Sequence, residues 1–226
     1  MRLLTDPVLR RRVAHLRREG DIPDIPEVDA VLISHMHHDH LDVASLRRLR
    51  GRPRVMVPKG AGRAMAGAGY PAEELALGEA TEVDGVRIEA VRAEHQSRRW
   101  PLAGPDAEPL GFVIGGAPSV YFAGDTDVFP EMEGLAPVGV ALMPVAGWGP
   151  KLGPGHMNPE RAAQAVALLR ARMAIPIHWG TLHPRMTQLG EWFTSPGEEF
   201  EAQVAAVAPE SEVRVLRPGE STEVGA

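Results

Sequence analysis

The feature that most constrains this sequence is a seven-residue stretch that holds four of its nine histidines and an aspartate, Ser34-His35-Met36-His37-His38-Asp39-His40. Imidazole and carboxylate groups are the usual ligands of Zn²⁺ and related ions. A short apolar run over residues 28–33 predicts a strand that ends at this stretch, and Asp42 predicts the cap of a helix after it. The pattern therefore predicts a metal site; surface histidines at a strand end are the alternative.

The spacing inside the stretch separates the candidate ligands into two groups. His35 and His37 project from the same side of an extended segment, whereas Asp39 and His40 follow the predicted bend. This arrangement indicates two metal ions rather than one.

Composition excludes several other kinds of site and partner. The 226 residues are 44% hydrophobic, which is typical of one globular domain and predicts a single domain over residues 1–226. The absence of cysteine excludes disulfides, thiolate zinc sites and cysteine nucleophiles. A net charge of −6 indicates no nucleic-acid partner. The lack of a long apolar run or a signal-peptide pattern predicts a cytoplasmic protein with no membrane partner.

Local patterns predict several helices. Residues 8–20 are expected to be helical, and the arginine clusters Arg10-Arg11-Arg12, Arg17-Arg18 and Arg47-Arg48 are expected on solvated helix faces. A small-residue helix is expected over residues 60–69. Ser195-Pro196-Gly197-Glu198 predicts a capping box for a later helix.

The run His35-Met36-His37-His38-Asp39-His40 fits the H-x-H-x-D-H motif of the metallo-β-lactamase-fold hydrolases, and the chain resembles that family over nearly its whole length. The resemblance implies an α/β fold, a four-layer αββα sandwich, without the N-terminal hairpin that relatives carry before the Leu4-Thr5-Asp6-Pro7 segment. A sheet edge left uncovered there would favour pairing with another subunit, so a homo-oligomer is expected.

The resemblance also implies a set of metal ligands and a partner for them. His35, His37 and His95 would bind one ion, Asp39, His40 and His178 the other, and Asp125 would bridge both. The Gly124-Asp125-Thr126 and Ile177-His178-Trp179-Gly180-Thr181 segments carry the last two matches. Asp6 would support a ligand from behind. The implied cofactors are two zinc ions, with manganese or iron as alternatives. From the residues alone, a structural strand-end histidine is the alternative for His95 and a structural turn residue is the alternative for Asp6.

Further residues are candidates for catalysis or for substrate contact. His156 precedes a predicted helix with Asn158 as its cap and Pro159 in its first position. The His156-Met157-Asn158-Pro159-Glu160 segment matches one branch of the family, which implies an active-site role, although a capping-loop histidine is the alternative. Candidate substrate contacts are Arg98, Arg99, Trp100 and His183.

The expected chemistry is hydrolysis by a water whose pKa two shared cations lower, which yields a hydroxide nucleophile near neutral pH. Asp39 would orient that water. Two dications against two aspartates leave a local charge of about +2, which favours an anionic small-molecule substrate. The later motifs are most similar to the branch with N-acyl-phosphatidylethanolamine-hydrolysing phospholipase D and L-ascorbate-6-phosphate lactonase. A phosphodiester or phosphorylated small molecule is therefore the predicted substrate. The alternatives are a lactonase acting on a sugar-phosphate-type lactone and a non-catalytic metal-holding binding or regulatory protein.

Overall fold

Two large β-sheets pack face to face, and helices cover their outer surfaces. The computed structural model describes residues 1–96, 107–147 and 149–225. The strands are β1 (Leu3–Thr5), β2 (Arg12–Val13), β3 (Leu16–Arg18), β4 (Ala30–Leu32), β5 (Arg54–Pro58), β6 (Ala72–Leu75), β7 (Ala80–Val83), β8 (Val86–Arg92), β9 (Leu110–Ile114), β10 (Val120–Phe122), β11 (Val140–Pro144), β12 (Met173–Ile177), β13 (Leu182–Pro184) and β14 (Glu212–Val213). The helices are α1 (Val43–Leu46), α2 (Pro159–Leu169), α3 (Glu191–Thr194) and α4 (Pro196–Val207), with 3₁₀ helices at Gly62–Met65 and Pro130–Leu135.

The strands form three sheets. The first has the order β1-β4-β5-β6 and is parallel throughout. The second has the order β14-β12-β11-β10-β9-β8-β7, with parallel pairs from β14 to β10 and antiparallel pairs from β10 to β7. A small antiparallel sheet, β13-β3-β2, joins the hairpin after residue 10 to a strand near the C-terminus.

Three apolar clusters of the described residues correspond to contacts between the layers. Between the two large sheets, Leu32 and Met56 of the first sheet pack against Ile88 and Phe112 of the second. The seven-stranded sheet is covered by α2 and α4, which bury Val166, Leu169, Phe200 and Val204. On the opposite face of the four-stranded sheet, a separate cluster contains Val31, Ile33, Leu46 and Met65. The predicted αββα sandwich is confirmed.

Two local predictions are confirmed by backbone geometry. Asp84 and Gly85 connect β7 to β8 with φ values of 50° and 79°, as a tight two-residue hairpin turn requires. Asn158 caps α2, because its side chain accepts a hydrogen bond of 2.9 Å from the backbone amide of Arg161, and Pro159 occupies the first helical position.

The helix predicted over residues 8–20 is wrong, because this segment contains the β2–β3 hairpin. Ala14 turns the chain with φ of 47°, and Val13 and Leu16 are buried in a small cluster with Val8. Pairing of β3 with β13 supplies backbone hydrogen bonds that no local pattern in the sequence reveals. The arginines of this segment therefore do not lie on a helix, although Arg11, Arg12 and Arg17 are exposed as expected.

Two other helix predictions need correction. The segment over residues 60–69 contains only the short 3₁₀ helix Gly62–Met65. Helix α4 begins where expected, but the Ser195 side chain does not cap it. Instead, the Ser195 hydroxyl lies 2.8 Å from the carbonyl of Glu191 in α3 and 2.6 Å from Glu199 Oε1, and both oxygens are acceptors.

Strand β1 lies at one edge of the four-stranded sheet. Association of two subunits through that edge stays a prediction. Among the described residues, no helix has both the length and the apolar character needed to cross a membrane.

Candidate metal centre

The candidate ligands meet at one edge of the sandwich because they follow strands that run in the same direction within each sheet. His35 to His40 lie beyond β4, and Asp6 follows its parallel neighbour β1. In the facing sheet, His95 follows β8, Asp125 follows β10 and His178 follows β12. The carboxyl ends of these strands therefore place residues from 6 to 178 around one site.

The first group of ligand atoms consists of three imidazole nitrogens. His37 Nδ1 lies 3.0 Å from His35 Nε2 and 3.2 Å from His95 Nε2. Nitrogens bound at about 2.0–2.1 Å to one tetrahedral Zn²⁺ stand about 3.4 Å apart. The spacing of these three atoms is therefore close to that of a histidine triad around one ion.

The second group combines Asp39, His40 and His178. His40 Nε2 lies 3.2 Å from His178 Nε2, and Asp39 Oδ2 lies 3.7 Å from each of these nitrogens. The ligand atoms of this group also fall within the span that one ion can join. His178 reaches this position with φ of 64°, a left-handed conformation that is uncommon outside glycine.

Asp125 lies between the two groups. Its Oδ2 is 3.3 Å from His40 Nε2 and 3.9 Å from His35 Nε2, while its Oδ1 is 3.4 Å from His178 Nε2. The side chain is buried, and Oδ1 has no hydrogen-bond partner within the described part of the chain. A buried carboxylate oxygen without a partner is costly, and a cation at this position would satisfy it.

The outer ring nitrogens of four ligands are held by acceptors or by a hydroxyl. His95 Nδ1 lies 2.7 Å from the carbonyl of Gly155, and His178 Nδ1 lies 2.8 Å from that of Ala146. His40 Nδ1 contacts Asp6 and His35 Nδ1 contacts Ser34. Donation from the outer nitrogen leaves the inner one free to bind a metal, so the donor set fits two cations.

The pKa values of the histidines shift in opposite directions in the two groups. Burial lowers the pKa of His35, His37 and His95, in the last case to about 4, which favours the neutral imidazole that binds metal. Burial would also lower the pKa of His40, but the carboxylates of Asp125, Asp39 and Asp6 outweigh it and raise the pKa well above its ordinary value.

The two carboxylates of the centre are ionised. Burial opposes the charged form of Asp39, yet His40 and His178 overcome it and hold the pKa at about 2. The same balance, with His178 and His40 as the largest favourable causes, lowers the pKa of Asp125 well below its ordinary value. Both side chains therefore present anionic oxygens to the site.

Asp6 and Ser34 connect the two groups through the Nδ1 atoms of His35 and His40. Asp6 Oδ1 accepts from the backbone amide of Ser34 at 2.8 Å, and Oδ2 accepts from the Ser34 hydroxyl at 2.5 Å. The same hydroxyl lies 3.0 Å from His35 Nδ1, and Asp6 Oδ2 lies 2.7 Å from His40 Nδ1. Sequence reasoning missed the role of Ser34, although its place at the strand end beside His35 was a usable signal.

His156 joins the centre from the loop before α2. Its Nε2 lies 3.4 Å from Asp125 Oδ2, and its ring centroid lies 4.7 Å from that of His95. Its Nδ1 lies 3.2 Å from the carbonyls of both Gly153 and Pro154. Burial lowers the pKa of His156, but hydrogen bonding to Asp125 outweighs it and leaves the pKa raised. The structure therefore places this side chain beside the Asp125 carboxylate.

Of the candidate substrate residues, the structure describes only His183. Arg98, Arg99 and Trp100 lie outside the described residues. His183 is buried in β13, where its Nε2 contacts Glu19 at 2.9 Å and its Nδ1 contacts the carbonyl of Pro184 at 2.9 Å. Both ring nitrogens of His183 are thus engaged by neighbouring groups, and its role as a substrate contact stays a prediction.

Comparison with known proteins agrees with this geometry. The family model described as "Beta-lactamase superfamily domain" matches residues 1–179. A UPF0173 metal-dependent hydrolase of Methanopyrus kandleri is 34% identical over 210 residues, which cover 89% of this chain and 84% of that protein. A UPF0173 metal-dependent hydrolase of Thermococcus onnurineus is 32% identical and covers 99% of this chain and 92% of its own length.

Solved structures show the same fold. Igni18, described as a novel metallo hydrolase from the archaeon Ignicoccus hospitalis, superimposes with a TM-score of 0.66 at 26% identity, covering 86% of this chain and 78% of its own. These comparisons do not distinguish the phospholipase and lactonase branch from others. The chain belongs to the β-lactamase superfamily and, within it, to the UPF0173 metal-dependent hydrolases.

Proposed function

We propose that this protein is a dinuclear metal hydrolase that acts on a phosphodiester or another phosphorylated small molecule. The observation that carries the proposal is the position of Asp125, whose two oxygens face His40 Nε2 at 3.3 Å and His178 Nε2 at 3.4 Å, with His35 Nε2 3.9 Å away. A carboxylate in this position can join two cations held by the flanking groups. Zinc is the proposed metal because the donors are imidazole and carboxylate, with manganese or iron as alternatives.

Bound at these residues, the two cations would supply Lewis acidity and lower the pKa of a shared water. The chain's own residues orient the reactants. Asp39 is ionised and lies within 4 Å of both His40 and His178, so its carboxylate can accept a hydrogen bond from a water beside them. This role fits the position expected for Asp39 from its sequence motif.

His156 is the proposed proton donor to the leaving group. Contact of Nδ1 with the two loop carbonyls fixes the ring, and Nε2 faces the interior of the site next to Asp125. Although burial opposes it, the hydrogen bond to Asp125 raises the pKa of His156, which favours the protonated imidazole. A side chain that can give up a proton at this point would assist departure of an alkoxide.

The proposed substrate class follows from local charge. Two dications against the two ionised aspartates leave a surplus of about +2 in the site, although the whole chain has a net charge of −6. An anionic phosphoryl group is attracted to such a centre more strongly than a neutral ester is. We also propose that the protein forms a homo-oligomer. Its molar mass in solution, measured by light scattering, tests this proposal.

The test is an assay of purified protein stripped by a chelator and reloaded with Zn²⁺ or Mn²⁺. Bis(p-nitrophenyl) phosphate, a panel of lactones and a thioester serve as substrates, and elemental analysis counts the bound metal. We expect two ions per chain and metal-dependent cleavage of the phosphodiester. Replacement of His178 by alanine should abolish activity, whereas the matched change at the exposed His15 should not.

The remaining outcomes separate the alternatives. Cleavage of lactones alone would replace the phosphodiester assignment by a lactonase. Two bound ions without turnover of any substrate would contradict the enzymatic proposal and favour a metal-holding binding protein. Failure to bind metal at all would overturn the dinuclear centre itself.

A further inference from the structure

A cavity opens beside the second group of ligands. Its volume is about 540 Å³, including the solvent at its mouth, and it is bordered by Val8, Arg18, Asp39, His178, Trp179 and Leu182. Asp39 and His178 belong to the metal centre, so a molecule reacting there can extend into this space. Among the described residues that line the cavity, Arg18 carries the guanidinium cation.

Arg18 reaches the cavity because residues 12–18 form a hairpin. It ends β3, where it is paired in register with Leu182 of β13. One Nη2 hydrogen bond to the carbonyl of Val8 holds the guanidinium in place. Its neighbour Arg17 is different, because it is exposed and forms an ion pair with Glu19 at 3.1 Å.

One donor of Arg18, the Nε group, is buried without a partner among the described residues, 1–96, 107–147 and 149–225. Within the same residues, no carboxylate lies at ion-pair distance from its side chain. Partial burial lowers the pKa of Arg18. A buried charged donor without an acceptor is unfavourable unless a ligand supplies one.

The two carboxylates near the cavity do not supply that acceptor. Asp6 already accepts from Ser34 and lies 2.7 Å from His40 Nδ1, so its oxygens are directed toward the ligand histidines. Asp39 is directed toward His40 and His178. The guanidinium is thus left for another oxyanion, and its planar fork suits the paired oxygens of a phosphate or carboxylate.

We propose that Arg18 binds an anionic group of the substrate, a phosphate or a carboxylate, that is separate from the bond being hydrolysed. The apolar surfaces of Val8, Trp179 and Leu182 contact the carbon skeleton between that group and the reacting centre. This inference rests on the proposed hydrolase function, since it assigns a subsite to the same substrate. It makes Arg18 a specificity-determining residue.

The test measures anion binding to the metal-loaded protein by isothermal titration calorimetry, with inorganic phosphate and acetate as separate probes. Wild type is compared with Arg18→Gln, Arg18→Lys and the neighbouring control Arg17→Gln. The probes can also bind to the metal ions, but they do so in all four proteins. The ratio of the dissociation constants of a variant and the wild type therefore reports on the substituted arginine. We expect Arg18→Gln to weaken binding of one probe about tenfold to a hundredfold and Arg17→Gln to leave it unchanged. The probe with the larger ratio identifies the anion class.

The conservative variant and a folding control keep the result interpretable. Arg18→Lys retains the charge but not the fork, so intermediate binding is expected. If thermal melting shows that Arg18→Gln does not fold, Arg18→Lys decides the question. Equal binding by wild type and by the folded Arg18 variants would overturn the subsite, and so would an equal loss in Arg17→Gln.

The experiments distinguish failure of the proposed anion site from failure of the proposed hydrolase function. Arg18-dependent anion binding without turnover of any substrate would refute the proposed function but leave an anion site. Turnover with binding that is independent of Arg18 would refute the subsite and retain the hydrolase.

Discussion

Asp6 and His40 are 34 residues apart, yet Asp6 Oδ2 lies 2.7 Å from His40 Nδ1. Asp6 adopts φ of 41° at the end of β1, and the parallel pairing of β1 with β4 brings it beneath the histidine cluster. Its carboxylate also binds the backbone and hydroxyl of Ser34. The first strand therefore orients a candidate ligand of the second group.

Replacing Asp6 by asparagine should weaken metal binding by the second group. The asparagine amide has one oxygen in place of two. If its NH₂ group faces His40, it cannot accept a hydrogen bond from Nδ1; if its oxygen faces His40, a hydrogen bond from Ser34 is lost. Loss of such a supporting contact costs about 10–100-fold in metal affinity. Metal content after dialysis against a metal buffer checks this. Asp29→Asn, an exposed change beside the same sheet, is the control, and unchanged affinity in Asp6→Asn would contradict the role of Asp6.

Gly155→Ala should displace His95. Gly155 has φ of 72°, and an added Cβ would lie 3.0 Å from the Cα of His95 and 3.1 Å from its Nδ1. Both strain and crowding would move the carbonyl that holds this imidazole. We expect lower metal occupancy of the first group with the fold retained. Gly153→Ala is the matched control, because its Cβ would come no closer than 3.8 Å to His156 Nδ1; equal occupancy in both variants would disprove the effect.

Asn158→Ala should destabilise the N-terminus of α2. The lost bond from the Arg161 amide to the Asn158 side chain leaves an unsatisfied donor in the first turn. The expected cost is about 1 kcal/mol in the free energy of unfolding, measured by urea denaturation. Asn158→Asp retains a capping oxygen and should cost much less. Equal losses in the two variants would mean that capping is not the cause.

Glu19→Gln should reduce stability in a pH-dependent way. A hydrogen bond to His183, 2.9 Å away, lowers the pKa of Glu19 and ties β3 to β13. A carboxyl whose pKa is lowered by folding contributes stability above its unfolded-state pKa, and that contribution is lost as pH falls through the folded-state value. Because Glu19 is partly exposed, the contribution is at most about 1 kcal/mol.

Urea denaturation at about pH 7 and again near pH 3 measures this contribution. The wild type should be the more stable protein at neutral pH, and the two should converge in acid. Glu133→Gln, at an exposed position in a 3₁₀ helix, serves as the comparison. A difference that persists or grows in acid would show that charge on Glu19 is not responsible.

Local sequence by itself determined the elements whose stabilising groups are close in the chain. The Asp84-Gly85 turn, the Asn158 cap and the strand that ends at Ser34 each depend on neighbouring residues, so each was predictable. The grouping of His35 and His37 apart from Asp39 and His40 also follows from local spacing. Resemblance to known hydrolases then indicated which distant residues complete the centre.

Tertiary structure decided whatever depends on partners far along the chain. The segment over residues 8–20 has the polarity of an exposed helix, but pairing of β3 with β13 makes it a hairpin. The same pairing directs Arg18 into a cavity beside His178, and Ser34 gains its role only because β1 places Asp6 next to it. Long-range strand pairing satisfies backbone groups that local propensity would assign to a helix, and no short pattern in the sequence records which strands meet.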